Sequence, residues 1–421
     1  MEDIIKIAKK IKENNGNLYL VGGAIRDKLL NIKSHDEDYS VTGISFDEFK
    51  NIFPNAKVQG KDFPVFIIDN KEFAIARKER KIGLGHNGFD IEMDKKITIE
   101  EDLQRRDITI NAIAKEVLTN KIIDPFNGQK DLKNKTIRAV SNHFLEDPLR
   151  VYRVARFASQ FEFIVEENTL KMMESLKSEL KTLSVERVEK EFEKSLLSIK
   201  PSIFFNVLKK ANVLDVHFKE IYDLIGAEQP IKYHPEGDSY NHTMIVLDKV
   251  SNYTINYDDK RKLEIRYASL VHDLGKGTTP KEEYPHHIGH EKRGADLVKI
   301  MSKNLKLPSR LKKCGITSCL EHMRGGMFDN MTPSKKVTFI ERVNKSILGL
   351  DGLQLIVDAD NMKENNKNQF EKLGYKIMNS FNGEDVMKKY KLKEGKQISN
   401  KLHELRISYL KEIENKKWVN K

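Results

Sequence analysis

The chain has 421 residues, of which 39% are hydrophobic and 33% are charged. This length exceeds a single comfortable hydrophobic core, so we expect a globular, helix-rich protein of about two to four domains. The net charge of +11 favours a polyanionic partner such as nucleic acid, although charge that serves only solubility is the alternative. The two cysteines, Cys314 and Cys319, lack zinc-like spacing, which indicates a reducing compartment without a disulfide scaffold. No apolar run reaches membrane-spanning length, so we predict a cytoplasmic protein with no membrane partner.

A strand that ends in two glycines forms the first motif of the chain. Residues 18–21 are an apolar run typical of a buried strand, Gly22 and Gly23 follow it, and residues 24–30 have the spacing of a short helix. Glycines at a strand-to-helix turn let backbone N–H groups approach a phosphate chain closely. We expect Arg26, on the first turn of this helix, to clamp the same phosphates.

Two acids on the next predicted strand, Asp36 and Asp38, share one face because side chains at i and i+2 point the same way. Like charges this close are stabilised by a cation between them, and carboxylate oxygens suit Mg²⁺. The combination predicts a phosphate cradle facing a metal-binding carboxylate pair, as in nucleotidyl transfer. The alternative is a surface strand with solvated acids. Asp90 or Glu92, on a later alternating strand, is a candidate third carboxylate, for which a solvated strand face is the simpler interpretation.

A short helix that opens with a capping box, Thr98 with Glu101, leads into a basic segment. Arginine side chains offer donors for phosphate, and neighbouring acid and amide groups can bond ribose hydroxyls. The residues of this segment that we assign to such contacts are Arg105, Arg106, Asp107 and Asn111.

A further helix begins at Pro148, with Asp147 as its predicted N-cap. Arg150, Arg153 and Arg156 recur on it at intervals of three residues. Such a stripe is a costly surface unless phosphates or bases lie opposite it. An ion pair that merely caps the helix, between Asp147 and Arg150, is the alternative.

These motifs, in this order, resemble the bacterial class of CCA-adding tRNA nucleotidyltransferases, which share a superfamily with the bacterial poly(A) polymerases. The resemblance implies an α/β plus all-α fold, with a small catalytic domain built on a polymerase-β-like mixed sheet and helical neck, body and tail segments after it. The motifs that carry it are Gly22-Gly23-x-x-Arg26-Asp27, Asp36-x-Asp38, Arg105-Arg106-Asp107-x-Thr109-x-Asn111-Ala112, Glu146-Asp147-x-x-Arg150 and Glu186-Arg187.

The second half of the chain concentrates histidines, seven of the twelve lying between residues 234 and 322. Adjacent histidine and aspartate on one helix, with a distant histidine and a distant aspartate, is how phosphohydrolases bind divalent metals. A lone buried histidine is the alternative, and the density of this cluster argues against it. The residues that match the HD-domain pattern are His242, His272, Asp273 and Asp360, and we expect His286, His287 and His290 to bind phosphate or a second ion.

An HD domain after a nucleotidyltransferase core resembles the multifunctional CCA proteins of some bacteria, and the simple bacterial poly(A) polymerases lack such a segment. The resemblance implies CCA addition combined with 2′,3′-cyclic phosphodiesterase, 2′-nucleotidase and phosphatase activities. The expected domains are a catalytic head at 1–138, a helical neck and body with base and tRNA contacts at 139–225, the HD domain at 226–340 and a helical tail at 341–421.

We therefore predict template-independent addition and repair of the 3′-terminal CCA of tRNA from CTP and ATP, by a monomer or a homodimer. The rivals are an enzyme that adds only CC or only A, a poly(A) polymerase, and an HD phosphohydrolase whose N-terminal half merely binds RNA. Imidazole ligands predict Ni²⁺ or another transition metal at the HD site. The predicted roles in the first half are Mg²⁺ binding and catalysis for Asp36 and Asp38, triphosphate binding for Gly23, Arg26 and Arg106 with Arg153 assisting, ribose binding for Asp107 and Asn111, and base selection for Asp147 and Arg150.

Overall fold

The computed structural model divides the chain into two compact units, one of residues 1–191 and 203–213 and the other of residues 192–202 and 214–421. The structure describes residues 3–33, 37–60, 64–81, 89–92, 94–232, 234–361, 369–393 and 395–419. Asp36 lies outside these residues, and the side chains of Asp90 and Glu92 lie outside the described side chains. The metal-binding roles of these three acids therefore stay predictions.

The first unit contains a seven-stranded mixed sheet in the order β3-β4-β5-β2-β1-β8-β9. Two further pairs, β6 with β7 and β10 with β11, lie outside this sheet. The strands are β1 (Asn17–Val21), β2 (Asp38–Thr42), β3 (Lys57–Gln59), β4 (Val65–Ile68), β5 (Lys71–Ile75), β6 (Lys78–Lys81), β7 (Phe89–Glu92), β8 (Ala114–Glu116), β9 (Ile122–Ile123), β10 (Thr136–Ile137) and β11 (Ile164–Val165).

The register between β1 and β2 brings two distant parts of the sequence together. These strands are antiparallel, and Val21 at the end of β1 pairs with Asp38 at the start of β2. Gly22 follows Val21 directly and has a positive φ of 69°, a conformation that glycine adopts without the strain of a Cβ. The glycine turn and the Asp38 carboxylate therefore lie at the same edge of the sheet.

Helices cover this sheet and extend the first unit. A buried apolar cluster joins Tyr19 and Val21 of β1 to Ile99 and Leu103 of a short helix, which fixes the residues after that helix near the sheet edge. The helices up to residue 210 are α1 (Ile4–Glu13), α2 (Gly23–Leu29), α3 (Phe46–Ile52), α4 (Ile99–Gln104), α5 (Gly128–Lys133), α6 (Leu149–Phe161), α7 (Glu167–Ser175), α8 (Lys177–Leu180), α9 (Val185–Leu196) and α10 (Ser202–Lys210), with 3-10 turns at Thr109–Asn111 and Asn142–Glu146.

From residue 214 onward, the regular elements described in the second unit are all helices, joined by turns and by one isolated bridge between Glu228 and Asp238. One apolar core in this unit contains residues from before and after position 340, among them Val246, Ile265, Leu353 and Leu410. Its helices are α11 (Lys219–Tyr222), α12 (Ser239–Tyr253), α13 (Asp259–Val271), α14 (His290–Asn304), α15 (Ser309–Gly326), α16 (Pro333–Asn344), α17 (Gly349–Asp360), α18 (Phe370–Asn379), α19 (Gly383–Tyr390) and α20 (Lys396–Val419), with 3-10 turns at Leu274–Thr278, Lys281–Glu283 and Phe328–Asn330.

The predicted fold class, α/β followed by all-α, is confirmed by the mixed sheet in the first unit and the helices that follow it. Within the described ranges, none of the helices combines the length and the apolar composition that a membrane crossing requires.

The 3-10 turn Leu274–Thr278 and helix α14 approach each other through glycine. A Cβ added at Gly275 would lie 1.9 Å from the carbonyl oxygen of His290 and 2.6 Å from the amide nitrogen of Gly294. Both atoms belong to backbone, which cannot move aside as a flexible side chain can. This contact therefore tolerates only glycine without displacement of α14.

We expect Gly275→Ala to lower the free energy of unfolding by at least about 1–3 kcal/mol, the usual cost of overpacking a close contact. Urea denaturation followed by circular dichroism measures this change. Gly326→Ala is the matched control, because a Cβ there meets nothing within 4 Å. Equal stability of the two variants would contradict the close approach at Gly275.

Candidate active sites

A cavity of about 970 Å³ in the first unit is lined by polar and charged side chains from five separate stretches of sequence. Every described residue that the sequence predicted for nucleotide or Mg²⁺ binding lines it. These residues are Gly23, Arg26, Asp38, Arg106, Asp107, Asn111, Asp147, Arg150 and Arg153. Arg105, Arg156 and Arg187 line it too, so the cavity carries a marked excess of guanidinium groups.

Arg26 holds the wall of this cavity together. Its Nε and Nη2 atoms donate to Asp27 Oδ1 at 2.9 and 2.7 Å, and its Nη1 donates to Asn111 Oδ1 at 2.5 Å. The guanidinium carbon lies 5.2 Å from the ring centre of Phe157 and 4.8 Å from that of Phe161, both on α6. Arg26 is buried, so these contacts fix the Asn111 side chain relative to α2 and α6.

Asp107 links the segment after α4 to helix α6. Its Oδ2 accepts a hydrogen bond from Arg153 Nε at 2.8 Å, and its Oδ1 accepts from Asn111 Nδ2 at 3.1 Å and from the Ile108 amide at 2.9 Å. Burial favours the neutral acid, but Arg153 and the Asn111 hydrogen bond outweigh burial and lower the pKa of Asp107. Asp107 is therefore a carboxylate at neutral pH.

Asp102 was not among the residues predicted from sequence, yet it positions two of the arginines. Its Oδ1 accepts from Arg105 Nη2 at 2.7 Å, and its Oδ2 lies 3.4 Å from Arg106 Nη2. Burial opposes ionisation of Asp102, but Arg105 and Arg106 outweigh it and hold its pKa at about 2. The sequence signal was the i, i+3 and i, i+4 spacing between this acid and the two arginines, which places them on one helical face.

Asp147 and Arg150 meet different partners at the start of α6. Asp147 Oδ1 accepts from the Leu149 amide at 3.0 Å, and its Oδ2 accepts from Arg187 Nη2 at 3.0 Å. The predicted start at Pro148 is one residue early: α6 begins at Leu149 with Pro148 at the N-cap position, and Asp147 bonds the first turn from the residue before it. Arg150 Nη1 donates to the carbonyl of His143 at 2.5 Å, and its Nη2 donates to the carbonyl of Arg105 at 2.7 Å. Both side chains line the cavity, and Arg150 is buried.

A second cavity, of about 740 Å³, lies in the helical unit. Of the four predicted HD residues, Asp273 and Asp360 line this cavity. They meet His242 and His272 from α12, the end of α13 and the end of α17, with one ligand atom of each within 4.8 Å of the others. His242 Nε2 lies 2.8 Å from Asp360 Oδ1, and His272 Nε2 lies 3.2 Å from Asp273 Oδ2 and 3.7 Å from Asp360 Oδ1.

This arrangement fits a divalent cation. His272 Nδ1 donates to the carbonyl of Ser269 at 2.7 Å, which leaves a lone pair on Nε2, and that nitrogen and both Asp273 oxygens are buried without a hydrogen-bond partner. Lys276 Nζ lies 2.7 Å from Asp273 Oδ2, an ion pair outside hydrogen-bonding geometry. Burial opposes ionisation of Asp273, but the positive charge of Lys276 outweighs burial and keeps the pKa of Asp273 well below the usual range. A buried anion surrounded by nitrogen lone pairs is a donor set for metal.

A further group of ligands shares Asp273. Its Oδ1 lies 3.4 Å from His290 Nε2 and 3.3 Å from His322 Nε2, and these two nitrogens are 3.5 Å apart. Both rings donate Nδ1–H to backbone carbonyls, so both Nε2 lone pairs face the same point. The sequence assigned His290 to phosphate or a second ion and gave His322 no role, because a histidine within a long helix has no local signal of its partner.

The other two histidines assigned to phosphate or a second ion differ from His290. His287 Nε2 donates to the carbonyl of Glu228 at 2.9 Å, and its Nδ1 lies 3.0 Å from Thr279 Oγ1, so both ring nitrogens are bonded to protein. His286 is exposed at the cavity mouth.

Comparison with known families gives three matches in chain order. Residues 18–138 match the Poly A polymerase head domain, residues 162–224 match the model described as the probable RNA and SrmB-binding site of polymerase A, and residues 239–341 match the HD domain. A head domain of this kind and an HD domain with clustered ligands imply dependence on divalent metal.

Solved structures share the fold at low identity. A CCA-adding enzyme in complex with CTP aligns with a TM-score of 0.64 at 21% identity, over 97% of this chain and 92% of that one. A tRNA nucleotidyltransferase complexed with a primer tRNA and an incoming ATP analogue aligns with a TM-score of 0.60 at 20% identity, over 89% and 98% of the two chains.

Proteins related in sequence have a higher identity to this chain than these solved structures have. A multifunctional CCA protein from Mannheimia succiniciproducens is 44% identical over 311 residues, 72% of this chain and 73% of the relative. Another, from Pseudoalteromonas atlantica, is 46% identical over 299 residues, 69% of this chain and 72% of the relative. Because this identity extends over more than two thirds of both chains, and the three domain matches occur in one order, the chain belongs to the family of multifunctional CCA proteins.

Proposed function

We propose that this protein adds and repairs the 3′-terminal CCA of tRNA from CTP and ATP, and that its HD half hydrolyses 2′,3′-cyclic phosphates, 2′-nucleotides and other phosphomonoesters. The observation that carries the first activity is the single cavity in which the glycine turn, Asp38 and the arginines meet. The observation that carries the second is the buried histidine–aspartate cluster around Asp273.

The nucleotide enters the first cavity with its phosphates toward the glycine turn. Gly23 lets the triphosphate approach the backbone, and Arg106, held by Asp102, and Arg153 neutralise its charge. When bound to Asp36 and Asp38, Mg²⁺ supplies activation of the tRNA 3′-hydroxyl and neutralises the departing pyrophosphate.

The binding of the ribose and the position of the phosphates depend on side chains of the segment after α4. Asp107 and Asn111 present a carboxylate and an amide to the ribose hydroxyls. Arg26 was predicted to clamp phosphate, and its bonds to Asp27 and Asn111 support an additional role in holding the ribose-binding amide in place.

Base selection falls to Asp147 and Arg150. Cytosine and adenine both show an amino donor beside a ring-nitrogen acceptor, whereas uracil and guanine show the reverse. A carboxylate that only accepts and a guanidinium that only donates therefore match C and A and oppose U and G. The position of both side chains on the cavity wall supports this role.

In the HD half, His242, His272, Asp273 and Asp360 hold one metal, and Asp273 with His290 and His322 offers a second site. Imidazole-rich ligation favours Ni²⁺ or another transition metal, which supplies positive charge to polarise a phosphate ester. Lys276, buried beside Asp273 and bonded to Gln229 Oε1 at 2.6 Å, adds a fixed positive charge to the cavity wall.

A tRNA that lacks its last three nucleotides, offered with each nucleoside triphosphate alone and in pairs, tests the polymerase assignment. Addition of two C residues and one A, followed by a stop, supports CCA addition. Addition of C alone, of A alone or of a long A tail identifies one of the rival polymerases, and no addition identifies an HD phosphohydrolase with an RNA-binding half.

We expect Asp38→Asn to reduce addition of both C and A by more than about 100-fold, beyond the 10–100-fold that loss of an outer-shell partner typically costs. The side chain is exposed at the sheet edge, so stability should change little. Primer extension and thermal unfolding measure the two effects. Asp47→Asn, an exposed acid on α3, controls for loss of one charge and should extend normally. Full extension by the Asp38 variant would exclude it as a ligand.

The two activities should be separable by mutation and by metal. Asp273→Asn removes the shared ligand of the HD cluster, so we expect loss of 2′,3′-cyclic phosphodiesterase activity with CCA addition retained. After chelation, Mg²⁺ should restore addition alone, and Ni²⁺ or Co²⁺ should restore hydrolysis. Asp296→Asn on exposed α14 surface is the control. Hydrolysis that survives in the Asp273 variant, or that Mg²⁺ alone restores, would contradict the assignment.

Replacing the base-selecting pair should relax nucleotide choice. For Asp147→Ala and Arg150→Ala we expect UTP or GTP to gain about ten- to a hundredfold relative to CTP and ATP, the value of roughly 1–3 kcal/mol for a two-bond base contact. Single-nucleotide incorporation rates with all four triphosphates measure this ratio. Slower addition with unchanged selectivity would make the pair structural, as their bonds to Arg187 and to backbone carbonyls also allow.

A further inference from the structure

One carboxylate at the edge of the HD cluster bonds two histidine rings at once. Glu236 Oε1 lies 2.7 Å from His242 Nδ1 and 3.0 Å from His234 Nδ1. The Glu236 side chain is 9% exposed, and its own backbone carbonyl accepts a hydrogen bond from Asn241 Nδ2 at 3.3 Å. The carboxylate is therefore held against the ring of His242 from the side opposite the metal ligands.

His242 differs in this respect from the other ligand histidines of the cluster. The rings of His272, His290 and His322 each donate Nδ1–H to a backbone carbonyl three or four residues earlier in the chain, at 2.7, 2.8 and 2.9 Å. Of these four rings in the described chain, His242 alone has a carboxylate within hydrogen-bonding distance of Nδ1, whereas the Glu291 carboxylate lies 3.8 Å from Nδ1 of His290.

His242 also differs from the other three rings in its position in a helix. It lies in the first turn of α12, where the carbonyls three and four residues earlier belong to Ser239 and Asp238. The Asp238 carbonyl accepts the His242 amide at 3.1 Å, and the Ser239 carbonyl accepts the Thr243 hydroxyl at 2.8 Å. A carboxylate from the preceding turn takes the place that a backbone carbonyl has for the other three rings.

We propose that Glu236 is a positioning residue for the HD metal. Nε2 of the His242 ring lies at a hydrogen-bonding distance of 2.8 Å from Asp360 Oδ1 and is the nitrogen that faces the other ligands. By accepting Nδ1–H, Glu236 keeps the proton on Nδ1 when Nε2 gives its lone pair to the metal. The same hydrogen bond fixes the rotation of the His242 ring, so that Nε2 stays in position to bind the metal. The inference rests on the proposed metal site of the HD half.

Titration of the metal-free full-length protein with Ni²⁺ or Co²⁺ alone, followed by calorimetry, tests this role. For Glu236→Gln we expect the affinity for the ion to fall about 10–100-fold, the range found for outer-shell partners of metal-binding histidines. The visible spectrum of the Co²⁺-loaded protein should change as well, because the spectrum follows ligand geometry. A residue that only stabilises the turn would alter neither measurement.

Glu283→Gln is the matched control, because it removes the same charge from an exposed position on the 3-10 turn Lys281–Glu283. Circular dichroism, to which the helices of the second unit contribute strongly, shows that both variants are folded. Equal affinities and equal Co²⁺ spectra for the unmutated protein and Glu236→Gln would overturn the inference while leaving the metal site intact. An equal loss of metal affinity in Glu283→Gln would also overturn it. Failure of the unmutated protein to bind either ion would instead overturn the proposed HD site, and this inference with it.

Discussion

Burying a charged group costs several kcal/mol unless an opposite charge or hydrogen bonds compensate it, and both cavities are organised by this constraint. In the first unit, the guanidinium groups of Arg105, Arg106 and Arg153 stay in place because Asp102 and Asp107 are buried next to them as carboxylates. The arginines that remain turned toward the cavity form a site for a polyanion. The buried acids are therefore as much a part of the proposed phosphate site as the arginines themselves.

In the second cavity the buried charge that needs compensation is an anion. Asp273 is buried with oxygens that lack hydrogen-bond partners, and the ring nitrogens facing it are lone-pair donors rather than N–H donors. Lys276 supplies part of the missing positive charge through its ion pair with Asp273. The donor set that remains fits a divalent metal, whereas the first cavity presents an excess of guanidinium groups.

The two chemistries are accordingly carried by separate residue sets. The β1–β2 register sets Asp38 beside the glycine turn, and α6 supplies most of the arginines, all within the first unit. The HD cluster draws its ligands from α12, α13, α14, α15 and α17 of the second unit. The described residues that line one cavity therefore do not contribute to the other.

Features that depend on neighbouring residues were determined by the sequence itself. The strand and glycine turn, the capping box of Thr98 with Glu101 and the adjacent His272 and Asp273 all follow from spacing along one strand or helix, and the hydrogen bonds confirm the capping box. Asp147 bonds the first turn of α6, although that helix begins one residue later than predicted. The resemblance to the family's motifs also predicted which residues line the nucleotide cavity and that Asp360 belongs to the HD site. Only the tertiary structure revealed that Asp102 orients two arginines, that Arg187 bonds Asp147, and that His322 and Glu236 belong to the metal cluster. The physical reason is that a side chain's partner on another helix is set by how the apolar faces of those helices pack, and that packing leaves no periodic signal next to the residue in the chain.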